Sequence, residues 1–465
     1  MPLRYGVAAL GRPTFDVRFA EETKDRAFAA LEAAGIEAVG PRALLFDAEA
    51  AERALAEIRA AGDIDLFLIL QVTFTDATMT VKIAQEAGVP VAIWALPEPR
   101  AGGRLRLNAF CGLNLAAHAL GKAGVPHGWL YANPDAPGLA DSVRALAKPA
   151  ALAPSRAAAG ESRAHAAADR VLESLRGARI AVLGKHPDGF DTCAYDGPGL
   201  KGLADIEVQP IPLDEVFDKA RSADAARVGA KHDEAVRALA GLDAVDREEL
   251  DRSLRVFCAL EDVQVETGAK GLAVRCWPEM FTEYGCAACG PMAMMNQKRI
   301  PAACEADVHG SLSQLILQEL ADAPAWMADL VDIDTEGDTG VLWHCGLAPL
   351  SMADPDAEAE ATIHTNRKMP LLHQFPLKPG RVTLARLSQA RNASKLMIAG
   401  AEVLKAPMAF TGTSGVVRFD RPAGEVCADI MAEGLEHHFA LAYGDHREAL
   451  RAIAARLDLP VLELA

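Results

Sequence analysis

The sequence predicts an α/β protein: two doubly wound, Rossmann-like parallel-sheet domains, residues 1–150 and 151–346, followed by a smaller β-rich domain, residues 347–465. Three observations predict it. The first 150 residues alternate apolar strand-like runs with segments whose apolar residues recur at three and four, the pattern of a parallel sheet wound with helices. That pattern breaks in the Ala-rich, polar stretch KPAALAPSRAAAGESRAHAAADR, between about 148 and 170, and then restarts. After about 369 it gives way to strand-like segments separated by short turns.

In order along the chain, LRYGVAAL (3–10), IEAVGP (36–41), DLFLILQV (65–72) and VPVAIWAL (89–96) are rich in apolar and branched residues and are predicted as buried strands. RFAEETKDRAFAALEAAG (18–35) and DAEAAERALAEIRAAG (47–62) are predicted as helices, with Gly35 and Gly62 as their stops. The stretch at 148–170 reads as a surface helix or a linker. GARIAVLGKHPDGF (177–190) is a strand entering a Gly/Pro/Asp loop. A helix near 245–268, the strand GLAVRCW (271–277), a helix near 288–298 and the segment VLWHCG (341–346) complete the second domain. In the third, RVTLARLSQ, SKLMIAGAEVL, GVVRFD and HHFALAYGD are predicted strands, and the helix REALRAIAARLD and the strand PVLELA follow.

At 465 residues the chain exceeds one ordinary core, and its formal charge of −17 repels phosphate backbones and anionic lipid. Nucleic-acid and membrane partners are therefore not expected. The N-terminal MPLRYGVAALGRP lacks the long apolar core of a signal peptide, and nine cysteines in so long a chain suggest reduced thiols, so a cytoplasmic enzyme is expected. No G-x-G-x-x-G follows the first strand, so no nucleotide cofactor is expected. TGTSGVVR (411–418) lacks the Lys and the following helix of a P-loop and reads as a hairpin turn.

Two carboxylates stand out. Glu305 follows the run PAAC and Asp329 follows WMA, 24 residues later, with the helix-like VHGSLSQLILQEL between them. Ligands of parallel α/β sheets bind beyond the carboxyl ends of strands, and neighbouring strands lie roughly 4.8 Å apart, so two successive strand ends can bring carboxylates to one ion. Singly, each reads better as the N-terminal cap of a helix, and the pair needs a third partner to make a site. His309 reads equally as a half-exposed helix residue or as a site group, and His344, in LWHCG, as a better candidate for the cleft rim. His437 and His438 precede an apolar strand; adjacent residues of a strand face opposite sides, so at most one of them ligates a given ion. Cys276, Cys286, Cys289 and Cys304 include a single C-x-x-C with apolar flanks and read as small core residues.

CEADVHGSLSQLILQELADAPAWMADL resembles the metal-binding segment of the L-fucose isomerase/L-arabinose isomerase superfamily, in which a glutamate, a small residue and an aspartate precede a second aspartate at the same interval. GRPTFDVR (11–18) is similar to that family's N-terminal arginine-bearing stretch, GARIAVLGKHPDGF to the opening of its second domain, and MAEGLEHHFALAYG (431–444) to its histidine-bearing segment. The resemblance implies metal ligands Glu305, Asp329 and His438, with Glu305 and Asp329 also acting as acid/base groups. It implies a substrate-binding set of Arg12, Arg18, Phe74, His344, Cys345 and His437; Phe74 takes the place of a family tryptophan and Cys345 that of a small hydroxyl residue. By the same resemblance the first domain completes the site of a neighbouring subunit, so a closed homo-oligomer, hexamer or trimer, is expected, with sites near subunit interfaces.

Two carboxylates and an imidazole suit a fairly hard divalent cation: Mn²⁺ best, with Mg²⁺, Co²⁺ and Zn²⁺ also admitted. With an open-chain sugar as substrate, the implied reaction is aldose–ketose interconversion by enediol proton transfer. L-fucose, D-arabinose and L-arabinose are the family's usual sugars, and a 6-deoxy-6-sulfo hexose is a further candidate. The rival readings are a metal-dependent sugar aldolase or hydrolase and a non-catalytic sugar-binding protein.

Overall fold

Five parallel strands open the molecule, ordered Ile36–Val39, Leu3–Leu10, Leu66–Gln71, Val91–Ala95 and His127–Tyr131. The computed structural model describes residues 2–148, 150–152, 154–159 and 165–465. The order of connection reverses between Leu3–Leu10 and Leu66–Gln71, one neighbour being added on each side, and this is the switch point beyond which such sheets bind ligands. Gly11 and Arg12 leave the first of these strands and Thr73 and Phe74 the second. The Arg12 backbone N–H donates to Thr73 Oγ1 at 2.8 Å and ties the two exits together. The four predicted strands and two predicted helices are present; His127–Tyr131 was not predicted, its residues being only half-buried and without alternation.

A second parallel sheet runs in the order Ala302–Ala303, Gly271–Val274, Arg179–Leu183 and Glu207–Ile211. Its helices include Arg247–Thr267 and Cys289–Gln297, close to their predicted ranges. Of the stretch at 148–170, residues 149, 153 and 160–164 lie outside the described residues; the rest includes the strand Ala158–Ala159 and the start of the helix Ala166–Leu175.

The third sheet is the largest, with ten strands among the described residues, some of them from before residue 347. Six of them close on themselves. Thr413–Phe419, Thr339–His344, Trp326–Asp334, His438–Tyr443, Gly380–Ser388 and Lys395–Val403 pair antiparallel in that order, and the last pairs back to the first. Closure leaves these strands no open edge. Leu330, Leu342, Leu384, Met397 and Phe439 share one apolar space with Val426 and Ile430 of the helix Ala423–Glu433. The strand Trp326–Asp334, expected beside the strand before Glu305, belongs to this barrel instead, and Asp329 lies in its interior rather than at its end. Most of TGTSGVVR is the strand Thr413–Phe419, not a turn.

One helix joins the first sheet to the barrel. Ala109–Lys122, mostly apolar, is buried from Ala109 to Gly121, Asn114 and His118 included, and packs against Val91–Ala95, Trp326–Asp334 and Ala423–Glu433. Beside it Asp332 accepts from Arg100 Nε at 2.6 Å and from Tyr131 Oη at 2.5 Å. No helix among the described residues is long and apolar enough to cross a membrane.

Candidate active site

Two neighbouring strands of the second sheet end side by side. Cys276 and Trp277 follow Gly271–Val274; Cys304 and Glu305 follow Ala302–Ala303. The chain then reverses through two consecutive left-handed residues, Glu305 (φ 59°) and Ala306 (φ 56°), a conformation that costs a side-chain-bearing residue energy and is held only by its surroundings. The turn separates two duties. Asp307 caps the helix Val308–Ala321, accepting from the Gly310 N–H at 2.8 Å, and Glu305 is left facing the cleft.

The barrel supplies the other groups. Asp329 and His438 are directly opposed on antiparallel strands, which puts both side chains on one face. His438 Nε2 lies 3.8 Å from Glu305 Oε2 and 3.5 Å from Asp329 Oδ1. Its other nitrogen, Nδ1, is 2.9 Å from Asp307 Oδ2, and Arg386, buried within Gly380–Ser388, grips both oxygens of Asp307. Glu305 is fixed from two sides: Trp277 Nε1–H donates to Oε1 at 3.2 Å and His437 Nε2–H to Oε2 at 3.1 Å. His437 precedes the strand that begins at His438, so strand alternation does not separate the two rings, which lie 3.8 Å apart and both turn toward Glu305.

Charge is strongly organised here. Burial raises the Glu305 carboxyl, but the His437 hydrogen bond and the two imidazoles outweigh it and hold the pKa at about 2. Asp307 is likewise opposed by burial and brought far below the carboxylate range by Arg386 and His438. Asp329 lacks such support, and burial pushes it up to about 7. His438 is penalised by burial yet raised by its bond to Asp307 and by Asp329 and Glu305, whereas burial lowers His437 to about 4. Carboxylates on three sides make this a place that favours positive charge.

The residues present fit a divalent ion. Asp329 Oδ1 and His344 Nε2 are buried with no hydrogen-bond partner among the described residues, and Asp329, His344 and His438 each bring a ligand atom within 4.8 Å of the others. Glu305, His438 and Cys193 form a second such group. Burial keeps the Cys193 thiol protonated, so oxygen and imidazole nitrogen remain the effective donors, a set suited to a hard or borderline cation.

Glu305, Asp329, His344, Cys345, His437, Arg12 and Phe74 line one cleft, and His438 is buried against Glu305 and Asp329. Arg12 and Phe74 thus reach this chain's own cleft, where the sequence reading gave them to a neighbour's. Arg18 does not: it stands on the helix Val17–Ala33, 91% exposed and paired with Glu22. His309 is fully buried rather than half-exposed and lies off the cleft. Cys276, Cys289 and Cys304 line the cleft while Cys286 is buried away from it, and none of the four joins a metal-ligating cluster among the described residues. Sequence reasoning missed Trp277, Arg367 and Arg386. Trp277 closes GLAVRCW at a parallel strand's carboxyl end and was the findable one; Arg367 sits in a loop without periodicity.

Residues 6–152 match the family model for the fucose/sulfoquinovose isomerase N-terminal domain, and residues 342–465 that for the L-fucose isomerase C-terminal domain. The chain is 31% identical over 451 residues to a sulfoquinovose isomerase of Priestia megaterium, covering 97% of this chain and 96% of the relative. It is 30% identical over 461 residues to one from a Clostridium species, covering 98% of each, and 29% over 404 residues to one from Alkalicoccus urumqiensis, covering 86% of each. These matches displace the aldolase, hydrolase and non-catalytic readings. The chain belongs to the fucose isomerase family and is an aldose–ketose sugar isomerase.

Proposed function

We propose that the chain is a metal-dependent isomerase interconverting a sulfoquinovose-type hexose, an aldose with a sulfonate at C6, and its 2-ketose through an enediol. The observation that carries the metal is His438 Nε2, which stands 3.8 Å from Glu305 Oε2 and 3.5 Å from Asp329 Oδ1, carboxylates brought to it by two different sheets. The sulfonated substrate is supported by relatives of that name matching nearly the whole chain.

Glu305, Asp329 and His438 hold the ion, Mn²⁺ by preference, with Mg²⁺, Co²⁺ and Zn²⁺ admitted by the same donors. When bound it would supply Lewis-acid stabilisation of the negative charge that grows on the sugar as the C2 proton leaves. Trp277 and His437 keep Glu305 in one orientation. Asp329, whose Oδ1 has no donor among the described residues, takes the proton from C2 and returns it at C1. Phe15, Phe74, Trp277 and Trp343 wall the cleft and keep water from the exchanging proton. Arg18 stands on the outer surface, where a neighbouring copy in a closed trimer or hexamer would meet it. Unpaired thiols at all nine cysteines support a reducing, cytoplasmic setting.

Chelator-stripped protein, assayed on sulfoquinovose in heavy water with and without Mn²⁺, tests this. Conversion should require the metal, place deuterium at C2 of recovered aldose, and fall at least ~10³-fold in Glu305→Gln. Full turnover by metal-free protein would sink the metal assignment.

A further inference from the structure

Trp277 has two ends. Its indole N–H holds Glu305, and its ring carries two guanidiniums, Arg12 Cζ at 4.9 Å and Arg367 Cζ at 5.0 Å from the ring centroid. Phe74 adds a second face to Arg12 at 5.5 Å and Phe281 one to Arg367 at 5.2 Å. Two cations on one ring repel, and the Arg12 guanidinium is held below its ordinary pKa by burial and in part by Arg367. Only one of them is answered. Arg12 pairs with Asp76 at 2.5 Å, whereas Arg367 has no carboxylate within ion-pair distance among the described residues.

The loop bearing Arg367 is built, not loose. His364 Nδ1 faces the backbone N–H groups of Asn366 and Arg367 at 3.2 and 3.3 Å, and accepts from them. The backbone closes the same turn, Lys368 N–H to His364 O at 2.7 Å and His364 N–H to Met369 O at 2.8 Å. Asn366 Oδ1 accepts from Arg104 Nε at 2.7 Å, and Arg104 also reaches Thr14 O at 2.8 Å. That fixes the Asn366 amide with its oxygen committed to Arg104 and its NH₂ available as a donor. Arg12, Thr14, Asn366 and Arg367 all line the cleft that contains Glu305 and Asp329.

We propose that Arg367, beside Arg12 on the Trp277 ring, is the residue that selects an anionic C6 substituent over the neutral hydroxymethyl group of an ordinary hexose. This rests on the isomerase reading above and adds to it the end of the sugar away from the reacting carbons. A sulfonate brings one full negative charge and three acceptor oxygens, enough for both guanidiniums and the Asn366 amide. A hydroxymethyl group brings one uncharged oxygen and leaves Arg367, on the ring it shares with Arg12, with no anion to offset it. Discrimination therefore comes from a repulsive arrangement that only the anion relieves, as well as from the contacts it makes. Trp277 links the two ends: the ring that carries the arginines also holds the carboxylate at the reacting end.

The test is steady-state kinetics of Mn²⁺-loaded wild type, Arg367→Met and Arg367→Lys on sulfoquinovose and on glucose as the neutral counterpart. The expected result is a fall of about 10²-fold in kcat/KM for sulfoquinovose in Arg367→Met, carried mainly by KM, with the sulfo-to-neutral ratio collapsing by a similar factor. Arg367→Lys, keeping the charge without the fork, should recover part of it. Equal losses on both sugars, with no recovery in the lysine variant, would mean that Arg367 only packs on Trp277, and would overturn the proposal. A wild type that shows no preference for sulfoquinovose defeats the substrate reading itself. A wild type with that preference and an Arg367→Met variant that keeps it defeats the Arg367 assignment alone. If Arg367→Met does not fold, Arg367→Gln carries the same comparison.

Discussion

Asp307 does three things with one carboxylate: it caps a helix, neutralises the buried Arg386 and accepts from His438 Nδ1. The last fixes the imidazole tautomer, so that Nε2 is the nitrogen presented to Glu305 and Asp329. Asp307→Asn keeps the shape and the capping oxygen but removes the charge and weakens that orientation. The expected outcome is Mn²⁺ binding weakened about 10- to 100-fold, read by titration calorimetry on chelator-stripped protein. A lower Tm should accompany it, since Arg386 would be left as an unanswered buried cation. Unchanged Mn²⁺ affinity would show that His438 does not depend on Asp307 for its orientation.

At the scale of elements, the turn after Ala302–Ala303 decides where Glu305 points. Ala306 is fully buried in the left-handed region, where a β-branched residue fits worst. Ala306→Val should lose about 1–3 kcal/mol of stability and at least ~10-fold of turnover, while Ala306→Gly keeps most activity; melting curves and rates on the same samples check both. An active, stable valine variant would remove any role for this turn. The elements themselves were largely legible in the sequence, because buried parallel strands are dense in apolar residues and the helices between them keep their period. What the sequence did not carry was partnership. Trp326–Asp334 read as ending near Asp329 because its later polar residues look like a terminus; the strand continues because Asp332 is satisfied by Arg100 and Tyr131 from the first sheet. Arg386 looks out of place in an apolar strand until Asp307, 79 positions away, is brought to it. The carboxylate pair was singled out by its places after two strand-like runs, whereas its joint role and the choice of His438 came through resemblance. The packing that unites them joins two sheets and has no local signature.

For the whole molecule, one consequence of burial is acid sensitivity. His373, in the strand Leu372–Pro376, is 2% exposed, and burial lowers its pKa to about 4 from the ordinary 6.5. Between those values the unfolded chain binds the proton and the native one does not, so stability rises with pH through that window, is complete above about 6.5, and is lost progressively on acidification toward about 4. The loss attributable to this ring is on the order of 3 kcal/mol. His373→Phe should flatten that part of the profile, measured by urea unfolding at about pH 4.5 and pH 7.5; parallel profiles for wild type and variant would reject the assignment.

The barrel and first sheet also impose an order on biosynthesis. A chain emerging from the ribosome displays Arg12 first, later Glu305 and Asp329, and last His438, the cross-strand partner of Asp329. Until the segment around His438 has been translated, the mostly apolar helix Ala109–Lys122 lacks the Ala423–Glu433 helix it packs against, and Asp307 has no imidazole to orient. A nascent or prematurely stopped chain therefore has no partly working form: it carries sticky surface and an incomplete set of ligands, and becomes a target for chaperones and proteases rather than a weak catalyst.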